Sequence, residues 1–134
     1  MSNVKTVQAL YEAFGRGDIP AILERLSDDI DWEYAYPAIE DVPWLRRRHG
    51  RAEVGAFFAS LTELEFKSFA PTTILEAPNG VVVVLVEAEL LVKKTGRKIV
   101  ESPEIHLWHF DAHGRVFRFR HVVDTLQHAT AWRG

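Results

Sequence analysis

The sequence predicts an α+β domain in which three helices in the N-terminal half pack on one side of a strongly curved, mostly antiparallel β-sheet. Three observations carry that expectation. Apolar residues recur at three- and four-residue spacing in the first half of the chain, two-residue alternation dominates from Leu64 onward, and turn-length gaps join the alternating stretches.

Val4, Val7, Leu10 or Tyr11, and Phe14 mark the apolar stripe of a first helix, which Gly15-Arg16-Gly17 stops. Asp18 is placed to cap a second helix, with Pro20 in its first turn, Ile22, Leu23 and Leu26 on its apolar side, and Ser27-Asp28-Asp29 at its end. Residues 30–36 read as a strand with Trp32, Tyr34 and Tyr36 on one face. Residues 37–50 form a loop holding Arg46-Arg47-Arg48, and a third helix over 51–61 presents Val54, Phe57, Phe58 and Leu61. Strands follow over 64–76, 81–93, 97–110 and 115–123, separated by Pro78-Asn79-Gly80, Thr95-Gly96 and Asp111-Ala112-His113-Gly114. Such short connections imply consecutive antiparallel pairing. A short helical tail begins after Asp124, which with Gln127 fits a capping box.

The chain, residues 1–134, is read as a single domain, and its length suffices to bury about two-thirds of the surface of the unfolded polypeptide. A net charge of -3 lacks the basic patch of a nucleic-acid binder and offers no attraction to anionic membranes. There are no cysteines, so disulfides, thiolate catalysis and cysteine-ligated zinc are excluded. The N-terminal residues lack the apolar run of a signal peptide, and the greasy run from Val81 to Val86 is too short to span a bilayer, so a cytoplasmic protein is expected.

The stretch from Glu104 to Asp124 places histidines among aromatic residues. Phe117, Phe119, His121 and Val123 share strand parity, which sets an imidazole on an otherwise apolar face. A four-residue loop over 111–114 would pair Trp108 with Phe117, His106 with Phe119 and Glu104 with His121. A three-residue loop with a glycine bulge would instead bring Ile105 and Leu107 beside the phenylalanines. In the first register Glu104 orients His121, and His106 joins them on one surface. A satisfied core histidine is the competing structural account.

Other candidates carry less. Tyr34 and Tyr36 have hydroxyls to offer, although aromatic stripes on strands usually serve a core. Arg46 to Arg48 fit solvation better than recognition of an anion. Glu104, His106 and His121 are suitable metal ligands by type but match no known spacing, so no metal is expected. Phosphate loops, dinucleotide fingerprints and serine nucleophile elbows are absent from the sequence.

Tyr11-Glu-Ala-Phe-Gly-Arg-Gly-Asp18-Ile-Pro-Ala-Ile, Leu26-Ser-Asp-Asp-Ile-Asp-Trp32, Gly50 ahead of Val54 and Phe57-Phe58, and Gly114-Arg-Val-Phe-Arg-Phe-Arg-His-Val-Val-Asp124-Thr together resemble the SnoaL-like branch of the nuclear-transport-factor-like superfamily. The resemblance covers nearly the whole chain. It implies a cone of the cystatin-like α+β roll type, with a deep apolar pocket at one end, His106 and His121 on the pocket side, and homodimers through the outer sheet face. Relatives of this kind include ketosteroid isomerases, epoxide hydrolases, polyketide cyclases and proteins without catalytic activity. The ketosteroid isomerase base falls on Tyr34, its oxyanion-hole tyrosine on Leu10 and its second oxyanion-hole acid on His106. The epoxide hydrolase aspartate falls on His121, and that family's arginine and second aspartate fall on Val86 and Ala88. Neither catalytic set is therefore present.

The resulting expectation is an enzyme acting on a small hydrophobic carbonyl compound by isomerisation, cyclisation or dehydration, without a cofactor. His121 would be the base, oriented by Glu104, and His106 a donor to the oxyanion, with Trp32, Tyr34, Phe57, Trp108, Phe119 and Val123 binding substrate. The alternative is a non-catalytic domain that holds a small molecule in the same pocket.

Overall fold

In the computed structural model, which describes residues 2–134, the helical spacing of the first half gives α1 (Asn3–Gly15), α2 (Ile19–Leu23) and α3 (Gly50–Ser60). The strands are β1 (Leu26–Tyr34), β2 (Arg48–His49), β3 (Leu64–Glu76), β4 (Val82–Val92), β5 (Lys98–Phe110) and β6 (Val116–Val122), and α4 (Thr125–Arg133) closes the chain. They form one open sheet in the order β2-β1-β6-β5-β4-β3. β3 to β6 pair consecutively and antiparallel, whereas β1 lies parallel to β6.

Local chemistry explains most boundaries. Asp18 accepts the Ala21 amide at 3.2 Å as the cap of α2, and Pro20 occupies its first turn. Gly17 follows α1 with φ of 72°, a conformation that a side chain would strain. Asp124 caps α4 through the Gln127 amide at 3.1 Å. Gln127 does not complete a capping box, because its own amide group clamps the backbone of Val100 on β5 instead.

The differences from the sequence expectation lie where pairing overrides local signals. β1 begins at Leu26, so Ser27-Asp28-Asp29 belongs to a strand and does not end α2. β1 also stops before Tyr36, which is half exposed and donates its hydroxyl to the Val123 carbonyl at 2.8 Å. The loop over 37–50 contains a short 3-10 turn and the added edge strand β2, paired with β1.

Bulges make the sheet bend. β3, an edge strand that can accommodate Pro71, shifts register twice against β4. β5 shifts against β4 between its partners of Val86 and Ala88, around Ser102-Pro103, and β6 shifts against β5 at Phe117. The resulting concave face is covered by α1, α2 and α3, with Val7, Leu10, Ile22, Val54 and Phe57 buried beneath them. No helix among the described residues is long and apolar enough to cross a membrane.

Candidate functional site

Alternation along β5 turns Glu104, His106 and Trp108 toward the concave face, and alternation along β6 does the same for Phe119 and His121. β1 adds Trp32 and Tyr34, α3 adds Phe57, and Val123 follows β6. All of these residues line one cavity of about 90 Å³, to which α1 contributes Tyr11. A vestibule of about 450 Å³ between α1, α3 and β3 shares Tyr11, Phe14, Phe58, Leu61, Phe66 and Phe69 with it. Neither lining includes an arginine or lysine, which suits an uncharged apolar occupant.

The β5–β6 register differs from both counts made from the turn. His106 faces His121 and Trp108 faces Phe119, two residues away from the four-residue-loop pairing. The backbone of Asp111 and Arg115 still closes the turn at 2.8 Å, but Phe117 bulges outward and is exposed rather than sharing the face of Phe119. A shift of two residues preserves which face each side chain occupies, so Glu104, His106 and His121 remain together. It does change their partners. Glu104 meets His106, with Oε2 at 2.8 Å from Nε2, and does not orient His121.

His106 is held at both nitrogens, since the Tyr11 hydroxyl lies 2.6 Å from Nδ1. The same hydroxyl receives the Trp108 indole N–H at 3.1 Å. His121 is different. Its ring stacks on Tyr34 at 4.6 Å and stands edge-on to Phe119 at 4.3 Å, while Nδ1 is sealed from solvent without a hydrogen-bond partner. No hydrogen bond to its Nε2 is formed among the described residues either, and that nitrogen is the one left for the cavity. Burial, reinforced by His106, holds the His121 pKa well below its usual value and keeps the ring neutral near pH 7. Burial likewise raises the Tyr11 phenol well above its usual range, with Glu104 adding to the shift and the Trp108 bond opposing it.

Tyr34 donates its hydroxyl to the Trp44 carbonyl, so its aromatic face, not its hydroxyl, serves the cavity. The arginine run points elsewhere: Arg46 and Arg48 bond the carbonyls of Glu40 and Pro43, and Arg47 joins Arg118 on Glu33, on the opposite face of β1. Among the described residues no group of three histidine or acidic side chains is arranged to hold a metal.

Sequence reasoning missed a second buried pair. His128 on α4 accepts the Trp44 indole N–H at 2.9 Å on Nδ1 and lies 3.3 Å from Glu101 through Nε2, and both Trp44 and His128 line the cavity. Glu101 also receives the Asp124 amide at 3.0 Å, which ties α4 to β5. Strict alternation would put Glu101 and Glu104 on opposite faces; the bulge between them turns both inward. Pro103 within a strand was the available signal. Tyr11 was visible only as part of a helical stripe.

A cone built from a curved sheet over helices, enclosing an aromatic cavity with polar groups at its base, defines the nuclear-transport-factor-like class. Within that class the chain belongs to the SnoaL-like domain family, whose model matches residues 7–119. Among solved structures it is similar to an NTF2-like protein of unknown function from Burkholderia pseudomallei, at 28% identity and TM-score 0.83 over 100% of both chains. An NTF2-like protein from Burkholderia xenovorans is 26% identical with TM-score 0.82, over 96% of this chain and 94% of that one. TerC, crystallised with polyporic acid, shares the fold at 22% identity and TM-score 0.78, over 98% of each chain. Among curated proteins nothing matches.

Proposed function

We propose that the protein is a cofactor-independent isomerase, cyclase or lyase that moves a proton beside the carbonyl of a small, mostly apolar molecule. The observation that carries this reading is the His106–Glu104 pair set 5.3 Å, ring to ring, from an unpartnered neutral imidazole, His121, at the base of an aromatic cavity. A proton acceptor needs somewhere to place charge, and the carboxylate sits on His106. The base strength therefore comes from His106 backed by Glu104, and His121 turns Nε2 to the substrate oxygen. This exchanges the roles expected from sequence, because the exchange of hydrogen-bond partners exchanges the chemistry. TerC, which shares the fold, was co-crystallised with polyporic acid, and this favours a small-molecule substrate as well.

With a substrate found by screening small carbonyl compounds, His106→Ala and His121→Ala should each lower kcat by about 100-fold or more. Unchanged turnover in both would refute the reading. A ligand recovered chemically unaltered after long incubation would favour the non-catalytic alternative.

The outer sheet face supports a homodimer. Val83, Leu85, Ile105, Leu107 and Val122 form a half-buried apolar band there. Light scattering should give about twice the 15.3 kDa chain mass, and Leu107→Glu should shift it to the monomer.

A further inference from the structure

His106 cannot touch a ligand with either nitrogen, because Glu104 occupies Nε2 and the Tyr11 hydroxyl occupies Nδ1. Whatever this pair does to a molecule in the cavity passes through Tyr11, which lines both the inner cavity and the vestibule. The polarity of the chain follows from its members. An indole N–H only donates and a carboxylate only accepts. The Tyr11 oxygen therefore accepts from Trp108, and Nε2 of His106 carries the proton aimed at Glu104. A neutral imidazole then offers its Nδ1 lone pair to the Tyr11 proton, and every group is satisfied. A cationic ring would leave that buried hydroxyl proton without an acceptor. The order is hydroxyl, imidazole, carboxylate, the arrangement that activates hydroxyl groups in hydrolases. Each proton already points toward the carboxylate, so the chain is set to take a proton in at Tyr11.

We propose that Tyr11 is the catalytic residue that abstracts the substrate proton, with His106 and Glu104 behind it as a relay. This rests on the reading of the cavity as a proton-transfer site. In the step, a C–H bond beside the carbonyl breaks and its proton forms an O–H bond with Tyr11. The hydroxyl's own proton passes to Nδ1 of His106, and the Nε2 proton passes to Glu104, which becomes the neutral acid. The electron pair left on carbon moves onto the carbonyl oxygen, facing Nε2 of His121, so the negative charge of Glu104 is transferred to the bound enolate. Trp108, fixed on the Tyr11 oxygen, steadies charge that builds there during the transfer. Running the relay backward returns the proton to a different carbon and completes an isomerisation.

4-Nitrophenol tests this without the natural substrate, because it ionises near neutrality and its anion absorbs at longer wavelength. Bound to the wild-type protein it should give up its proton to Tyr11, so that its apparent ionisation constant rises by about tenfold or more. Tyr11→Phe, which removes only the hydroxyl, should bind the probe within about threefold of wild type and lose that shift. Glu104→Gln should do the same, and Tyr11→Phe with Glu104→Gln should be no worse than either alone, as for residues acting as one unit. A shift that survives in Tyr11→Phe, or probe bound to wild type with no shift, overturns the role of Tyr11 alone. No saturable quenching of tryptophan fluorescence by the probe overturns the cavity reading, and the Tyr11 proposal with it.

Discussion

Phe119→Ala should lower the free energy of unfolding by about 3–5 kcal/mol, measured by denaturant titration. Phe119 is 2% exposed and forms the centre of the ring cluster at the base of the cone. Its ring centroid lies 4.1 Å from Trp32, 4.1 Å from Trp108 and 4.3 Å from His121. Those neighbours come from β1, β5 and β6, whose backbones are locked in register by their ladders, so they have little freedom to close the void. The new space would join the existing cavity, and each lost aromatic pair removes a further ~0.5–1.5 kcal/mol of geometry-dependent attraction. Phe117→Ala, two residues away on the outward bulge, is the control and should stay within about 0.5 kcal/mol of wild type. A loss below about 2 kcal/mol for Phe119→Ala would mean that the surrounding rings repack.

The second large effect is a loss of stability on acidification. Burial first, and the neighbouring His106 and His128 after it, depress the pKa of His121, while the Glu33 backbone opposes the shift. In the unfolded chain the same imidazole titrates near its ordinary value of about 6.5. Below that pH the unfolded state binds a proton that the folded state refuses, so folding stability falls by up to about 1.4 kcal/mol per pH unit until the depressed folded-state pKa is reached. Above about pH 7 the group contributes no pH dependence. His121→Phe keeps a ring against Tyr34 and removes the titration. The stability of wild type relative to His121→Phe should therefore decline as the pH is lowered below about 6.5. Parallel unfolding profiles over that range would show that the folded protein takes up the proton without penalty.

Both effects arise at positions that two-residue periodicity marked as inward. Periodicity was sufficient there because the face of a strand residue survives any even shift in pairing. That is why Glu104, His106 and Trp108 on β5 and Phe119 and His121 on β6 share one cavity although the hairpin register differs from the count made at its turn. Hydrogen-bond partners do not survive such a shift. Glu104 moved from the expected partner, His121, to His106, and this alone reverses which imidazole has a carboxylate behind it. Phe117 shows the other limit of periodicity: a single inserted residue at a bulge put it outside, although its parity with Phe119 is even.

Tyr11, Trp44, Glu101 and His128 were beyond the reach of local pattern for a different reason. Tyr11 and His106 are separated by 95 positions, and Trp44 and His128 by 84. No spacing rule links residues at such separations; the packing of α1 across β3 and β4 and the closure of α4 over the sheet bring their elements together.

By itself, the sequence determined the α+β class, the order of the principal elements, the turn and cap chemistry at Gly17, Asp18 and Asp124, and the aromatic, histidine-bearing face. These follow from backbone stereochemistry and from the two short periods that set which side of an element is apolar. Tertiary structure decided how β5 and β6 pair, where bulges turn Glu101 inward and Phe117 outward, and which carboxylate meets which imidazole. Those outcomes depend on contacts between distant segments and are sensitive to single-residue insertions in a ladder. The site's location is thus a property of local pattern, and its chemistry a property of register.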